Sequence, residues 1–396
     1  MKSNKRIYPI LFLVLLAAVC VQQKMPKTTN SPEIDTITER MTGRCEEIVS
    51  LYQDLYPQTE KSGTENPWLE PSLSQSTIDR IESLLIEAGL PVLDTEEHYP
   101  AYLTDAAAFQ QFWDAAKAGE DATQEILSIQ KSGKLAYRLF TCENGIPYVY
   151  SMHYPMAEET APVYEKHEIL EWELTEKGNF FYRIYPAGDK HIADFTLIRL
   201  TEPDRELYDT NRTYIRVAGY LGANIFLTDW SEKDYGSLSF NDLLEYFYEA
   251  QTGSPFLPEK YAYDSEKDCY HIPAHEFESV ILPYFQITPE KLRLSAEYNE
   301  AENCYYWYPI QTNDYAFLKY YTIEPEVTSI HDNQDGTITI LVELLSTDLK
   351  TDCLFSHAVT VRPLENGAFE YVANKIIYRS EYGLPHSEPR QAWDRT

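Results

Sequence analysis

Four short glycine-bearing turns, each set between stretches that alternate apolar and polar residues, constrain this chain more than any other feature. Asn144-Gly145, Gly178-Asn179, Asp335-Gly336 and Asn366-Gly367 supply residue types that accept the positive backbone dihedrals of a tight hairpin. Leu135, Tyr137 and Leu139 alternate on one side of the first turn, and Tyr148–His153 forms the return strand. Glu168–Leu174 and Phe180–Tyr185 flank the second, with Phe195–Leu200 as a further strand. In the carboxy-terminal part, strands are expected at Cys304–Tyr308, Val327–Ile330, Thr337–Leu345, Phe355–Arg362 and Phe369–Tyr378. Hairpins of this kind commit the chain to antiparallel sheet.

Helical periodicity precedes each set of strands. Thr77–Ala88 carries Ile78, Ile81, Leu84 and Leu85 on one face, with Ser76 as N-cap and Gly89 as stop. Asp105–Lys117, capped by Thr104, turns Ala108, Phe109, Phe112 and Trp113 inward. Phe240–Ala250 follows Ser239, and Ala274–Phe285 aligns Phe277, Val280, Ile281, Tyr284 and Phe285. The expected fold class is α+β: two units, each with helices packed on a curved antiparallel sheet. Residues 72–253 form the first domain and 254–385 the second, divided near Thr252-Gly253-Ser254-Pro255, with 386–396 as a tail.

Ahead of these domains, Lys2, Lys5 and Arg6 introduce an uncharged apolar run from Ile7 to Val19. A bilayer-spanning helix needs about 20 apolar residues, so residues 1–20 read as an export signal. The run ends Leu16-Ala17-Ala18-Val19-Cys20, which resembles the lipobox of bacterial lipoproteins, in which the cysteine is lipid-modified; Val19 departs from the small residue usual before it. Residues 21–71 read as a polar, Pro-punctuated tether containing a helical stretch from Ile34 to Tyr56.

Charge then narrows the partners. With 33 Lys+Arg against 63 Asp+Glu, the net charge of -30 repels phosphate backbones and anionic lipid, so no nucleic acid is expected and the membrane enters only through the amino-terminal anchor. Five cysteines follow Cys20, without a Cys-x-x-Cys pair. Cys269 and Cys304 lie in tyrosine-rich strand-like stretches, which leaves a cross-strand bridge and buried free thiols both open.

No nucleophile elbow, phosphate-cradling loop or dinucleotide fingerprint is present, and neither a catalytic residue set, a cofactor nor a metal is expected. His331–Val342 matches a calcium loop internally but lacks Asp at its start and Glu at its end, so it reads as a hairpin turn. His271 and His275 are separated by Pro273, a helix start, which takes the two imidazoles off a shared helical face. Strand alternation sets His357 with Phe355, Val359 and Val361 on the apolar side, making it a candidate for a ligand pocket or a core histidine. Tyr306, Trp307 and Tyr308, with Tyr315, Tyr320 and Tyr321 nearby, offer an aromatic platform for a sugar or peptide, or core packing. Glu171 and Glu173 share a strand face about 7 Å apart, a spacing glycosidases use and any solvated strand also shows.

The near-lipobox at Cys20, together with Tyr270-His271-Ile272-Pro273-Ala274-His275-Glu276-Phe277-Glu278 followed by Tyr284-Phe285, resembles uncharacterised secreted or lipid-anchored proteins of Gram-positive, Clostridia-like bacteria. That resemblance implies a location outside the cytoplasmic membrane and carries no activity. The expected function is a non-catalytic binding or interaction protein of the cell envelope, with an extracellular ligand or envelope protein as partner. The alternative is a glycan-acting hydrolase using Glu171 and Glu173.

Overall fold

The computed structural model describes residues 32–55, 73–95, 99–155, 162–185, 194–220, 222–310, 322–382 and 390. Cys20, the leader and Tyr315, Tyr320 and Tyr321 lie outside the described residues. The fold is α+β, built on large curved antiparallel sheets. Among the described residues no helix is long and apolar enough to cross a membrane.

The first unit comprises helices α1 (Pro32–Ser50) and α2 (Gln75–Glu87), strands β1 (Leu93–Asp94) and β2 (Tyr102–Leu103), and helix α3 (Ala106–Lys117). Six strands follow: β3 (Ala122–Ile129), β4 (Leu135–Glu143), β5 (Ile146–Tyr154), β6 (Val163–Leu174), β7 (Asn179–Ile184) and β8 (Thr196–Arg199). They make one eight-stranded sheet in the order β1-β2-β8-β7-β6-β5-β4-β3, antiparallel except where β2 runs parallel to β8. A bulge in β6 between Ile169 and Glu171 bends the sheet, and its two ends meet where Val92 bridges Leu127 and the Leu127 N–H donates to Pro91 O. The result is nearly a barrel.

Helix α3 packs Phe109, Phe112 and Trp113 into a core to which every strand from β2 to β8 contributes, including Leu103, Ile126, Phe140, Val149, Ile169, Phe180 and Ile198. Edge-to-face aromatic contacts dominate it, with Phe109–Phe180 centroids at 4.8 Å and Trp113–Trp172 at 5.2 Å. On the other face of β3–β5, Met41, Cys45 and Ile48 of α1 and Ile78, Ile81 and Leu85 of α2 cover Leu127, Leu135, Tyr137, Tyr150 and Met152. The central strands are thus buried on both sides.

The second unit contains α4 (Arg205–Thr210), a single π turn (Asn211–Ile215), β9 (Trp230–Ser231), α5 (Leu244–Thr252), β10 (Ala262–Asp264), β11 (Cys269–Pro273), α6 (Ala274–Ile281) and α7 (Pro289–Ser295). Strands β12 (Tyr298–Asn299), β13 (Cys304–Trp307), β14 (Ile323–Asp332), β15 (Ile338–Ser346), β16 (Thr351–Pro363) and β17 (Phe369–Arg379) complete it. They form two separate sheets, β10-β11-β13-β12 and β14-β15-β16-β17-β9, so the Cys304–Tyr308 strand stands apart from the meander that follows it. One core joins both sheets, and it begins at Ile215 and includes Leu244 and Phe247. The helix before the Gly253 turn therefore packs with the carboxy-terminal strands.

All four glycine-bearing turns are hairpins, with positive φ at Asn144, Gly145, Gly178, Gln334, Gly336, Asn366 and Gly367. Helix ends shift by a turn or less. Ser74, not Ser76, caps α2 by accepting from the Thr77 N–H, and Asp105, not Thr104, caps α3. A 3-10 turn at Asn241–Leu243 precedes α5, in place of a cap at Ser239. The stretch expected as one helix to Phe285 breaks at Ile281 into a 3-10 turn, because Pro283 has no N–H to donate and its ring crowds the preceding turn.

Candidate functional site

The two units meet along charged side chains that reach across the boundary. Arg199 on β8, with 15% of its side chain exposed, donates to Glu324 Oε2 at 2.9 Å and Glu326 Oε1 at 2.8 Å on β14. Burial works against its charge, yet the two carboxylates hold the guanidinium above its ordinary pKa. Lys177 pairs with Glu343, Lys350 with Glu171, and Asp352 accepts from Thr175 Oγ1 and Asn179 Nδ2.

Beside these contacts lies a cleft of about 390 Å³ between the units, walled by Lys177, Asn179 and Arg199 of the first unit and by Leu207, Tyr208, Asn211, Pro325 and Val327 of the second. The π turn places Asn211 here, an irregularity that often accompanies functional sites. Its Nδ2 donates to Pro325 O at 2.6 Å, whereas its Oδ1 is buried without a hydrogen-bond partner. An acceptor left unpaired in this way costs roughly 1–3 kcal/mol. Tyr208 presents a ring 5.3 Å from that of Tyr99. Lys177, Arg199, Glu202, Asp204, Glu324 and Glu326 also line the cleft, so it combines apolar surface with charged groups at a unit boundary, a place where small-molecule sites often form.

The residues singled out from the sequence fall elsewhere. His357 is fully buried. The Asn374 amide is oriented by donating to Thr228 O, so its Oδ1 accepts from His357 Nδ1–H at 2.7 Å and the Tyr220 hydroxyl donates to Nε2 at 2.6 Å. Phe226 and Phe355 stack on its faces at 5.0 and 5.6 Å. Both ring nitrogens are satisfied within the core, and burial pushes the imidazole down to about 4.

Tyr306, Trp307 and Tyr308 do not share one surface. Trp307 and Tyr308 are buried, Trp307 against Phe256 at 5.1 Å, and the Tyr308 hydroxyl donates to Glu297. Tyr306 faces outward beside His271, and its hydroxyl meets Lys267 Nζ and Asn299 Nδ2 at 2.8 Å each. Glu171 pairs with Arg183 and Lys350, and Glu173 lies 3.6 Å from Lys350. Glu171 is thus engaged by two cations of its surroundings. His275 sits on α6 with 81% of its side chain exposed, and His331–Val342 is a hairpin closed by Asn333 N–H donating to Thr337 O.

A family model described as a family of unknown function (DUF6070) matches residues 38–390. The chain belongs to this family. No curated protein and no solved structure matches it. The DUF6070 match runs from α1 through both units and the cleft to Arg390, a residue within the segment read as a tail. Arg390 is buried, donating to Gly222 O and Tyr308 O and pairing with Glu245.

The cleft was not visible in sequence, because its walls combine residues near 200–211 with residues 324–328. A different chemical group was equally hidden. On the outward face of β10-β11-β13, Asp264, Cys269 and His271 bring one potential ligand atom each within 4.8 Å of one another, and His271, Glu302 and Cys304 do the same. All five cysteines in the described residues are free.

Because the folded state holds His357 neutral to about pH 4 while the unfolded chain takes up a proton near its ordinary 6.5, stability is full above pH 6.5 and falls as pH drops toward 4. That window is worth about 3 kcal/mol. Urea unfolding should show this loss in the wild type and its absence in His357→Gln; parallel pH profiles would refute the assignment.

Proposed function

We propose that this chain is a non-catalytic extracellular binding protein of the bacterial cell envelope, and that the cleft between its two units receives the ligand. The observation that carries the reading is the unpaired Asn211 Oδ1 at the cleft wall, beside Leu207, Tyr208 and Val327. Such a lining suits a small molecule with one hydrogen-bond donor and one apolar face, as a glycan fragment or short peptide has. The net charge of -30 weighs against nucleic acid. The pairing of Glu171 with Arg183 and Lys350 favours binding over hydrolysis.

A panel of short peptides and oligosaccharides, read by thermal shift and by product analysis, tests this reading. A ligand present at about 100 times its Kd should stabilise the protein by about 2.7 kcal/mol and leave unaltered. Leu207→Trp, which narrows the cleft, should weaken that ligand at least tenfold without lowering the melting temperature of the free protein. Glycan hydrolysis that disappears in Glu171→Gln would replace the binding reading with the hydrolase.

The location we propose is the outer face of the cytoplasmic membrane, held by a lipid on Cys20. The short apolar run Ile7–Val19 and the cysteine that closes it support this. The wild type should partition into the detergent phase and Cys20→Ala into the aqueous phase; identical partitioning of the two would remove the anchor.

A further inference from the structure

The sheet β10-β11-β13-β12 carries on its outward face a group of metal-ligating side chains that the cleft does not use. The β10–β11 hairpin sets Asp264 directly across from Cys269, and the strand pleat returns His271 to the same side two residues later. The carboxylate of Asp264 is fixed by accepting from the Glu266 and Lys267 N–H groups. Cys269 is buried with a free thiol.

His271 decides how the group is oriented. Its Nδ1 lies 2.6 Å from Glu302 Oε2, so Nδ1 carries the proton that Glu302 accepts. Its Nε2 is buried, stands 3.6 Å from Asp264 Oδ2 and has no hydrogen-bond partner. An imidazole that donates one N–H to a carboxylate and turns its other nitrogen toward a thiol and a second carboxylate has the arrangement of a metal-ligating histidine with its orienting partner. In the alternative group, His271 with Glu302 and Cys304, Glu302 would have to serve as a ligand and give up its hydrogen bond to Nδ1.

We propose that Asp264, Cys269 and His271 form a zinc site, with a carboxylate oxygen, the thiolate and Nε2 as ligands, and that Glu302 is the positioning residue for the imidazole. One atom from each ligand already lies within 4.8 Å of the others. Tetrahedral zinc with bonds of about 2.0–2.3 Å needs ligand atoms about 3.3–3.8 Å apart, a contraction that side-chain rotation supplies. Mixed thiolate, imidazole and carboxylate donors select zinc over calcium or magnesium, which take oxygen. Three protein ligands leave the fourth position for water or an external donor. Binding releases the Cys269 thiol proton to solvent. Lys267, on the same hairpin, lies over the Tyr306 ring that neighbours His271, with Nζ 4.1 Å from that ring, and its charge favours the anionic forms of Asp264 and Cys269.

The test uses the intact chain, reduced, stripped with a chelator and titrated with Zn(II) against a chromogenic competitor, then with Co(II). One zinc per chain is expected, and cobalt should give a thiolate-to-metal charge-transfer band. Cys269→Ser should abolish that band and weaken zinc at least tenfold. Asp264→Asn, which keeps the turn acceptor and serves if the buried serine prevents folding, should weaken zinc to a similar degree and keep the band. Glu302→Gln should weaken zinc about tenfold with the band intact, and Cys304→Ser should change neither. Failure to retain zinc, retention undiminished in both Cys269→Ser and Asp264→Asn, or loss in Cys304→Ser instead, overturns the site.

Discussion

Arg199 holds two carboxylates of the opposite unit while itself largely withdrawn from water, and the shape of the molecule between the units follows from that contact. A guanidinium in this position must be matched, because an uncompensated charge removed from solvent costs several kcal/mol. Glu324 and Glu326 match it, and Arg216 shares Glu324. The planar fork of arginine suits this role better than a lysine ammonium would. With β14 tied to β8 in this way, Asn179 and Arg199 of the first unit face Asn211 and Pro325 of the second, and the cleft has two walls in place of one.

The first unit presents Arg199 from the end of β8, in a sheet packed around α3. A sheet that curls until Val92 meets Leu127 loses its open edges, and α3 fills its interior with Phe109, Phe112 and Trp113. The second unit supplies the other wall through β14, which is tied by β15 and β16 into a core of Phe355, Val359 and Tyr371 around the buried His357. His357 is enclosed in that core, bonded to Tyr220 and Asn374. At the far end of the chain, Arg390 joins Gly222 to Tyr308.

Much of this fold is legible in the residues, and the omissions have physical causes. Turn chemistry located the hairpins, since Asn144-Gly145 and Asn366-Gly367 suit few other conformations. Strand β3 was invisible because both of its faces are covered, so Ala122–Ile129 shows no alternation; its Glu125 is paired with Arg44, which no periodicity reveals. Helices α4 and α7 are too short to display a period. The candidate sites were less legible still. Alternation correctly put His357 on the apolar side of its strand, but only the structure shows Tyr220 and Asn374 satisfying it. The pairing of His271 with His275 drew attention along the chain, whereas the chemically matched partners of His271 lie across a hairpin at Asp264 and two residues back at Cys269.

If the cross-unit ion pairs make the two units one cooperative body, differential scanning calorimetry of the wild type should give a single transition. Arg199→Ala leaves Glu324 and Glu326 without their shared partner, a loss of about 3 to 5 kcal/mol for a largely buried pair, and should split that transition into two. Two separable transitions in the wild type, or an unchanged single transition in the variant, would contradict the account.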